Sequence, residues 1–154
     1  MTQPTFSSII KEAIKMEEES YALYTEAQKR TDLESSKAFL KELAETEMQH
    51  KEKLIAILED TSNISKLGIK TKKMEDLKIA DFLEDVQLND SSNYQEILIF
   101  AAKKEKKSYE YYTSLSDRFK GTNAGELFAN LAKEEIEHKS KLEKEYDEQV
   151  LKED

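Results

Sequence analysis

The chain has 154 residues, with 33 acidic and 24 basic side chains and a net charge of −9. This length predicts a single domain over residues 1–154, and the negative charge argues against nucleic acid or an anionic membrane as a partner. Only three Gly and one Pro occur, which favours long helices over turn-rich folds. The chain has no Cys, which excludes disulfides and thiolate metal sites, and it shows no stretch of signal-peptide or membrane-spanning length. We therefore expect a cytoplasmic protein.

Apolar residues at helical spacing predict four long helices, at about residues 5–30, 33–59, 94–119 and 124–146. Together they predict an all-α four-helix bundle of two helical hairpins, with Asp32 as the N-cap of the second helix. A connection over about residues 61–93 joins the hairpins, and apolar residues at 77–86 indicate a short helix within it. A connection of this length can run along the bundle and deliver the third helix parallel to the second. The first helix carries its apolar residues on one face: Phe6, Ile9, Ile10, Ala13, Met16, Tyr21 and Tyr24.

The two hairpins are repeats of one pattern. A shift of 88 residues aligns them without a gap and places Glu17 on Glu105. The same shift places the Glu-x-x-His pair of the second helix on that of the fourth, and these pairs contain both histidines of the chain. A Glu three residues before a His shares its helix face. The repeated positions are Glu17 and Glu105, Glu47 and Glu135, and His50 and His138.

These acidic residues interrupt the apolar stripes of their helices. Glu47, for example, lies four residues after Leu43 and seven before Leu54, so its carboxylate is predicted to point into the bundle. By the same spacing, Glu18 and Glu19 turn away from the core and are expected to meet solvent. Four inward carboxylates would be costly without compensation, and two divalent cations would balance their charge with the imidazoles neutral. Ligands rich in oxygen, with one nitrogen per metal and no sulfur, suit iron or manganese.

The pattern resembles the ferritin-like di-metal carboxylate proteins, and especially their rubrerythrin-like branch. Such proteins place a Glu on each of two helices and Glu-x-x-His on each of the other two. The resemblance implies a cofactor of two iron ions, with manganese or a mixed pair as alternatives. It assigns bridging roles to Glu47 and Glu135, capping roles to His50 and His138, and terminal roles to Glu17 and Glu105. It also implies that Tyr24 and Tyr112 hold the ligand carboxylates in place by hydrogen bonds.

The sequence departs from this family pattern in two ways. Peroxidase-type rubrerythrins usually append a Cys-rich iron domain, whereas this chain has no Cys, so its electrons are expected from an external donor protein. They also usually carry a further Glu one turn after the third-helix ligand, and here that position is Ser108.

The resemblance implies a non-haem oxidoreductase that reduces hydrogen peroxide or O2, as part of an oxidative-stress response. Two other function classes stay open at this point: a ferroxidase or iron-handling protein, in which Fe(II) is the substrate, and a metal-free helical interaction module. A homodimer is one assembly that the sequence leaves open.

Overall fold

The computed structural model describes residues 5–59, 88–89 and 91–153, and these residues form four long helices without a β-strand. The predicted all-α four-helix bundle is confirmed. The short helix predicted at residues 77–86 lies outside the described residues. In chain order the elements are α1 (Phe6–Ala27), a 3-10 turn (Gln28–Arg30), α2 (Glu34–Glu59), α3 (Tyr94–Arg118) and α4 (Asn123–Glu153).

The helices that open the two hairpins begin with the same capping device. The Thr5 hydroxyl accepts a hydrogen bond from the backbone N–H of Ser8, and the Ser8 hydroxyl accepts one from the backbone of Thr5. Asn93 and Glu96 form the equivalent reciprocal pair at the start of α3. Each pair satisfies backbone N–H groups that a helix leaves without partners in its first turn.

Two helix ends differ from the sequence predictions. The Leu33 carbonyl accepts the N–H of Lys37 at 3.0 Å, so the N-cap of α2 is Leu33, and the prediction of Asp32 was wrong by one residue. The helix α4 continues to Glu153, seven residues past its predicted end at Tyr146. Those last residues are largely polar, so the apolar spacing that marked the helix had already stopped.

Contacts between helix ends establish the direction of each helix. The Phe6 ring, at the start of α1, packs edge-on against Phe119, just past the end of α3, with 5.3 Å between ring centroids. At the other end, the Arg30 guanidinium donates to the Ser92 carbonyl at 2.7 Å. The helices α1 and α3 are therefore antiparallel. Because α2 reverses the direction of α1, α3 runs parallel to α2, as predicted for the long connection.

Two apolar clusters fill opposite ends of the bundle, and a polar layer lies between them. The 88-residue shift exchanges the clusters: Ile9 and Leu54 belong to one, and their repeat partners Ile97 and Leu142 belong to the other. This exchange is what a two-fold axis across the middle of the bundle produces. No helix in the described part of the chain is long and apolar enough to cross a membrane.

Candidate metal centre

The polar layer contains all six residues that the sequence selected. Each of the six is at most 4% exposed, although acidic and imidazole side chains are rarely buried so fully. They come from all four helices, two from each Glu-x-x-His pair and one each from α1 and α3. The six are Glu17, Glu47, His50, Glu105, Glu135 and His138.

The six side chains form two groups of four that share two carboxylates. Within each group, one ligand atom per residue can be chosen so that all four lie within 4.8 Å of one another. Glu47 and Glu135 belong to both groups, which is the position that bridging ligands require. We name the groups by their histidines: the His50 tetrad is Glu17, Glu47, His50 and Glu135, and the His138 tetrad is Glu47, Glu105, Glu135 and His138.

Each histidine faces the shared carboxylate of the opposite hairpin. His50 Nδ1 lies 3.1 Å from Glu135 Oε1, and His138 Nδ1 lies 3.0 Å from Glu47 Oε1. Within each Glu-x-x-His pair the corresponding distance is 3.8 Å in both hairpins. The two imidazole rings are nearly parallel, at 14°, with 6.1 Å between their centroids. The internal two-fold relation is therefore kept at the level of single atoms.

Two buried tyrosines hold the unshared carboxylates across the α1–α3 contact. Tyr24 donates to Glu105 Oε1 at 2.5 Å, and Tyr112 donates to Glu17 Oε1 at 2.8 Å. The second oxygen of each carboxylate, Oε2, faces the histidine of its own tetrad, at 3.4 Å for Glu17 and 3.7 Å for Glu105. Each hydrogen bond thus directs one carboxylate oxygen inward, as expected for tyrosines that position ligands.

The electrostatics of the layer are unfavourable in the absence of a cation. Burial raises the pKa of Glu47 and Glu135 well above the ordinary value, and the nearby carboxylates raise it further. Burial by itself lowers the pKa of His50, but the adjacent carboxylates of Glu135 and Glu17 outweigh it and raise that pKa to about 11. Protons are therefore retained in the layer when no positive ion is present.

The side chains fit a pair of cations because their inward atoms lack other partners. Buried donors and acceptors are normally hydrogen-bonded, and each orphan costs free energy. Here eight carboxylate and imidazole atoms of the layer are buried and have no hydrogen-bond partner in the part of the chain that the structure describes. Oxygen-rich sites with one nitrogen per metal suit iron or manganese. The atoms are Glu17 Oε2, Glu105 Oε2, both oxygens of Glu47 and Glu135, and the Nδ1 atoms of His50 and His138.

Comparison with known proteins agrees with this geometry. A family model described as rubrerythrin matches residues 8–90, which is more than half of the chain. The chain belongs to the rubrerythrin family. The match covers α1 from residue 8 and all of α2, with Glu17, Glu47 and His50, and the second hairpin repeats the same residue set. No curated protein and no solved structure matches the chain. Membership of the rubrerythrin family and the buried carboxylate–histidine layer both support a di-metal site.

Two serines occupy the next helical turn beyond the unshared carboxylates. Ser20 follows Glu17 by three residues and Ser108 follows Glu105 by three, and both serines are buried. The Ser20 hydroxyl has no hydrogen-bond partner among the described residues. At Ser108, where the rubrerythrin pattern implied a further Glu, the site presents a hydroxyl. Residue 108 therefore does not add a seventh carboxylate or imidazole to the six of the polar layer.

Glu134 is a further residue of the site that the sequence patterns did not select. Its Oε2 atom lies 2.9 Å from His50 Nε2, on the side of the ring that faces away from the carboxylate layer. Because a carboxylate only accepts, the His50 Nε2–H must be the donor, which leaves Nδ1 directed at the layer. Glu134 directly precedes Glu135, but its partner is on another helix. Only the packing of α2 against α4 reveals this contact.

Proposed function

We propose that the chain is a di-iron carboxylate oxidoreductase that reduces hydrogen peroxide or O2 with electrons from an external donor protein. The observation that carries the proposal is the pair of tetrads sharing Glu47 and Glu135, because shared carboxylates hold two ions side by side. In this assignment Glu47 and Glu135 bridge, His50 and His138 cap one ion each, and Glu17 and Glu105 are terminal. The proposed reaction needs two redox-active ions, and both iron and the alternative metal, manganese, meet that requirement.

A pair of irons held by these residues would supply the two electrons that convert peroxide and two protons into two waters, and electrons from the donor protein would replace them. The protein's own contribution is to hold the carboxylates and to exclude bulk water. The apolar clusters on either side of the layer provide that exclusion.

The tyrosines keep their protons and therefore remain donors. Burial and the adjacent carboxylates raise the pKa of Tyr24 and Tyr112 well above the ordinary value, burial being the larger cause. Each phenol can thus hold its carboxylate in the same orientation across the physiological pH range. A ligand fixed through one oxygen keeps the other free for the metal.

The test is anaerobic loading with Fe(II), followed by rapid mixing with peroxide and, separately, with O2. We expect about two irons per chain to be oxidised and then re-reduced by an added electron donor without leaving the protein. Glu17→Gln should impair loading, while Glu18→Gln, on the solvent side of the same helix, should not. Oxidised iron that is released after each turnover would contradict the proposal and support the ferroxidase alternative.

The cytoplasmic location expected from the sequence is part of this proposal. Fractionation of cells that express the full chain would test it.

A further inference from the structure

The two tetrads differ at one position behind their histidines. His50 Nε2 donates to Glu134 on α4, at 2.9 Å. The repeat partner of Glu134 is Thr46 on α2, whose hydroxyl instead donates to the Glu42 carbonyl of its own helix at 3.0 Å. Among the described residues, no carboxylate lies within 4.0 Å of His138 Nε2. The internal two-fold relation is broken here.

A carboxylate behind a ligating imidazole has a direct effect on metal binding. It holds the proton on the far nitrogen, fixes the orientation of the ring and makes the near nitrogen a stronger ligand. Loss of such a partner typically weakens metal binding by about 10- to 100-fold. Glu134 keeps part of its side chain in solvent, at 38% exposure, so the desolvation cost of placing it behind His50 is reduced.

We propose that Glu134 is a positioning residue that makes the two metal positions unequal, so that the His50 tetrad binds a cation before the His138 tetrad. This inference rests on the proposed two-metal site and goes beyond it by assigning an order of loading. The order follows from one hydrogen bond, since the remaining distances of the two tetrads agree closely. A tightly held first ion would then share two carboxylates with a second ion that exchanges more readily.

The experiment uses Zn²⁺ as a diamagnetic probe and ¹⁵N-labelled histidine in the full chain. Because the protein has only two histidines, each imidazole gives its own set of NMR signals. The signals are assigned with His50→Gln and His138→Gln. The measured quantity is the ratio of metal-bound His50 to metal-bound His138 at one equivalent of Zn²⁺. Circular dichroism confirms that each variant is folded.

In the wild type we expect this ratio to be about ten or more. Glu134→Thr should bring it to about one, and Glu134→Gln, which can still accept the hydrogen bond but lacks the charge, should give an intermediate ratio. The decisive variant exchanges the two positions, Glu134→Thr with Thr46→Glu. It moves the carboxylate behind His138 and should make that histidine bind first.

Equal filling of the two histidines in the wild type would overturn the inference. So would a ratio that the exchanged variant leaves unchanged, because a merely structural role for Glu134 alters stability without reversing the order. Equal filling at one equivalent of Zn²⁺, followed by saturation at two equivalents, would leave the two-metal site intact and remove only the order. Absence of Zn²⁺ binding would contradict both the order and the proposed function.

Discussion

Consecutive residues on α1 have opposite environments. Glu17 is 2% exposed, while the side chains of Glu18 and Glu19 are 52% and 48% exposed. The difference follows from a rotation of about 100° per residue in an α-helix. Of three adjacent carboxylates, only the one in register with the apolar stripe enters the core. A single register position therefore separates a candidate metal ligand from a solvated charge.

Ligand substitutions should separate shared from unshared roles. We expect Glu47→Ala or Glu135→Ala to reduce binding of both ions, because each carboxylate belongs to both tetrads. His50→Ala or His138→Ala should mainly weaken the binding of one ion. The measurement is the metal-to-protein ratio after loading and desalting, with Glu19→Ala as an exposed control. Equal loss from all four ligand variants would contradict the bridging roles.

The tyrosine hydrogen bonds offer a second comparison between residues. Tyr24→Phe removes the donor to Glu105 and leaves a buried carboxylate oxygen without its partner, at a cost of about 1–3 kcal/mol in the free energy of unfolding. Tyr21→Phe is the matched control. Tyr21 was expected on the apolar face but is 38% exposed, so its change should stay within about 0.5 kcal/mol. Urea denaturation of the metal-free proteins measures the free energy of unfolding of both variants. An equal loss of stability in the two would argue against the Tyr24 contact.

At the scale of helices, sequence patterns predicted most of what the structure shows. Apolar spacing located all four helices because each buries one continuous stripe. It misplaced the end of α4, since the polar turns after Tyr146 carry no such stripe, and it could not detect Glu134, whose partner His50 is distant in sequence. The six residues of the polar layer were found because each shares a helix face with apolar neighbours. Their grouping into two tetrads required the packed helices.

The turn between α3 and α4 depends on close backbone packing at Gly125. A Cβ atom there would lie 2.2 Å from the Phe119 carbonyl oxygen, which also accepts hydrogen bonds from the Thr122 side chain and backbone. We expect Gly125→Ala to destabilise the protein by about 1–3 kcal/mol, because the backbone must move.

Helix propensity alone predicts the opposite sign for this change, a gain of about 1 kcal/mol. Ala129→Gly, at an exposed position of the same helix, measures that propensity term separately. Urea denaturation gives both values. A more stable Gly125→Ala variant would show that the turn does not require the close approach.

For the whole molecule, stability should depend on pH in opposite ways with and without metal. In the metal-free protein, Glu47, Glu135 and His50 all have a raised pKa, so the folded state binds more protons than the unfolded chain. The carboxylates' stabilising effect is complete below their unfolded pKa of about 4.5 and is lost as pH rises towards their folded pKa values. That of His50 is lost between about 6.5 and 11.

Bound metal keeps the ligands unprotonated, so the loaded protein should lose stability as pH falls. At free metal about 100 times the dissociation constant, binding adds roughly 2.7 kcal/mol per site. Chelation should therefore lower the melting temperature more at about pH 7.5 than at about pH 5.5. Calorimetry at both values is the measurement, and an unchanged melting curve after verified metal removal would contradict a buried di-metal site.

Each tetrad takes side chains from both hairpins, so bound cations would be cross-links between two halves of one chain. A bound ion that ties Glu47 to Glu135 closes a loop of 88 residues, much as a disulfide would. The hairpins would then be joined in two ways, by the bound ions and by the covalent chain. A chain cleaved at a protease site inserted within residues 61–87 should stay associated on a sizing column when loaded with metal, and its fragments should dissociate more readily after chelation because only direct contacts between the two halves, mainly apolar, then join them. Fragments that part despite bound metal would show that the ions do not join the two halves.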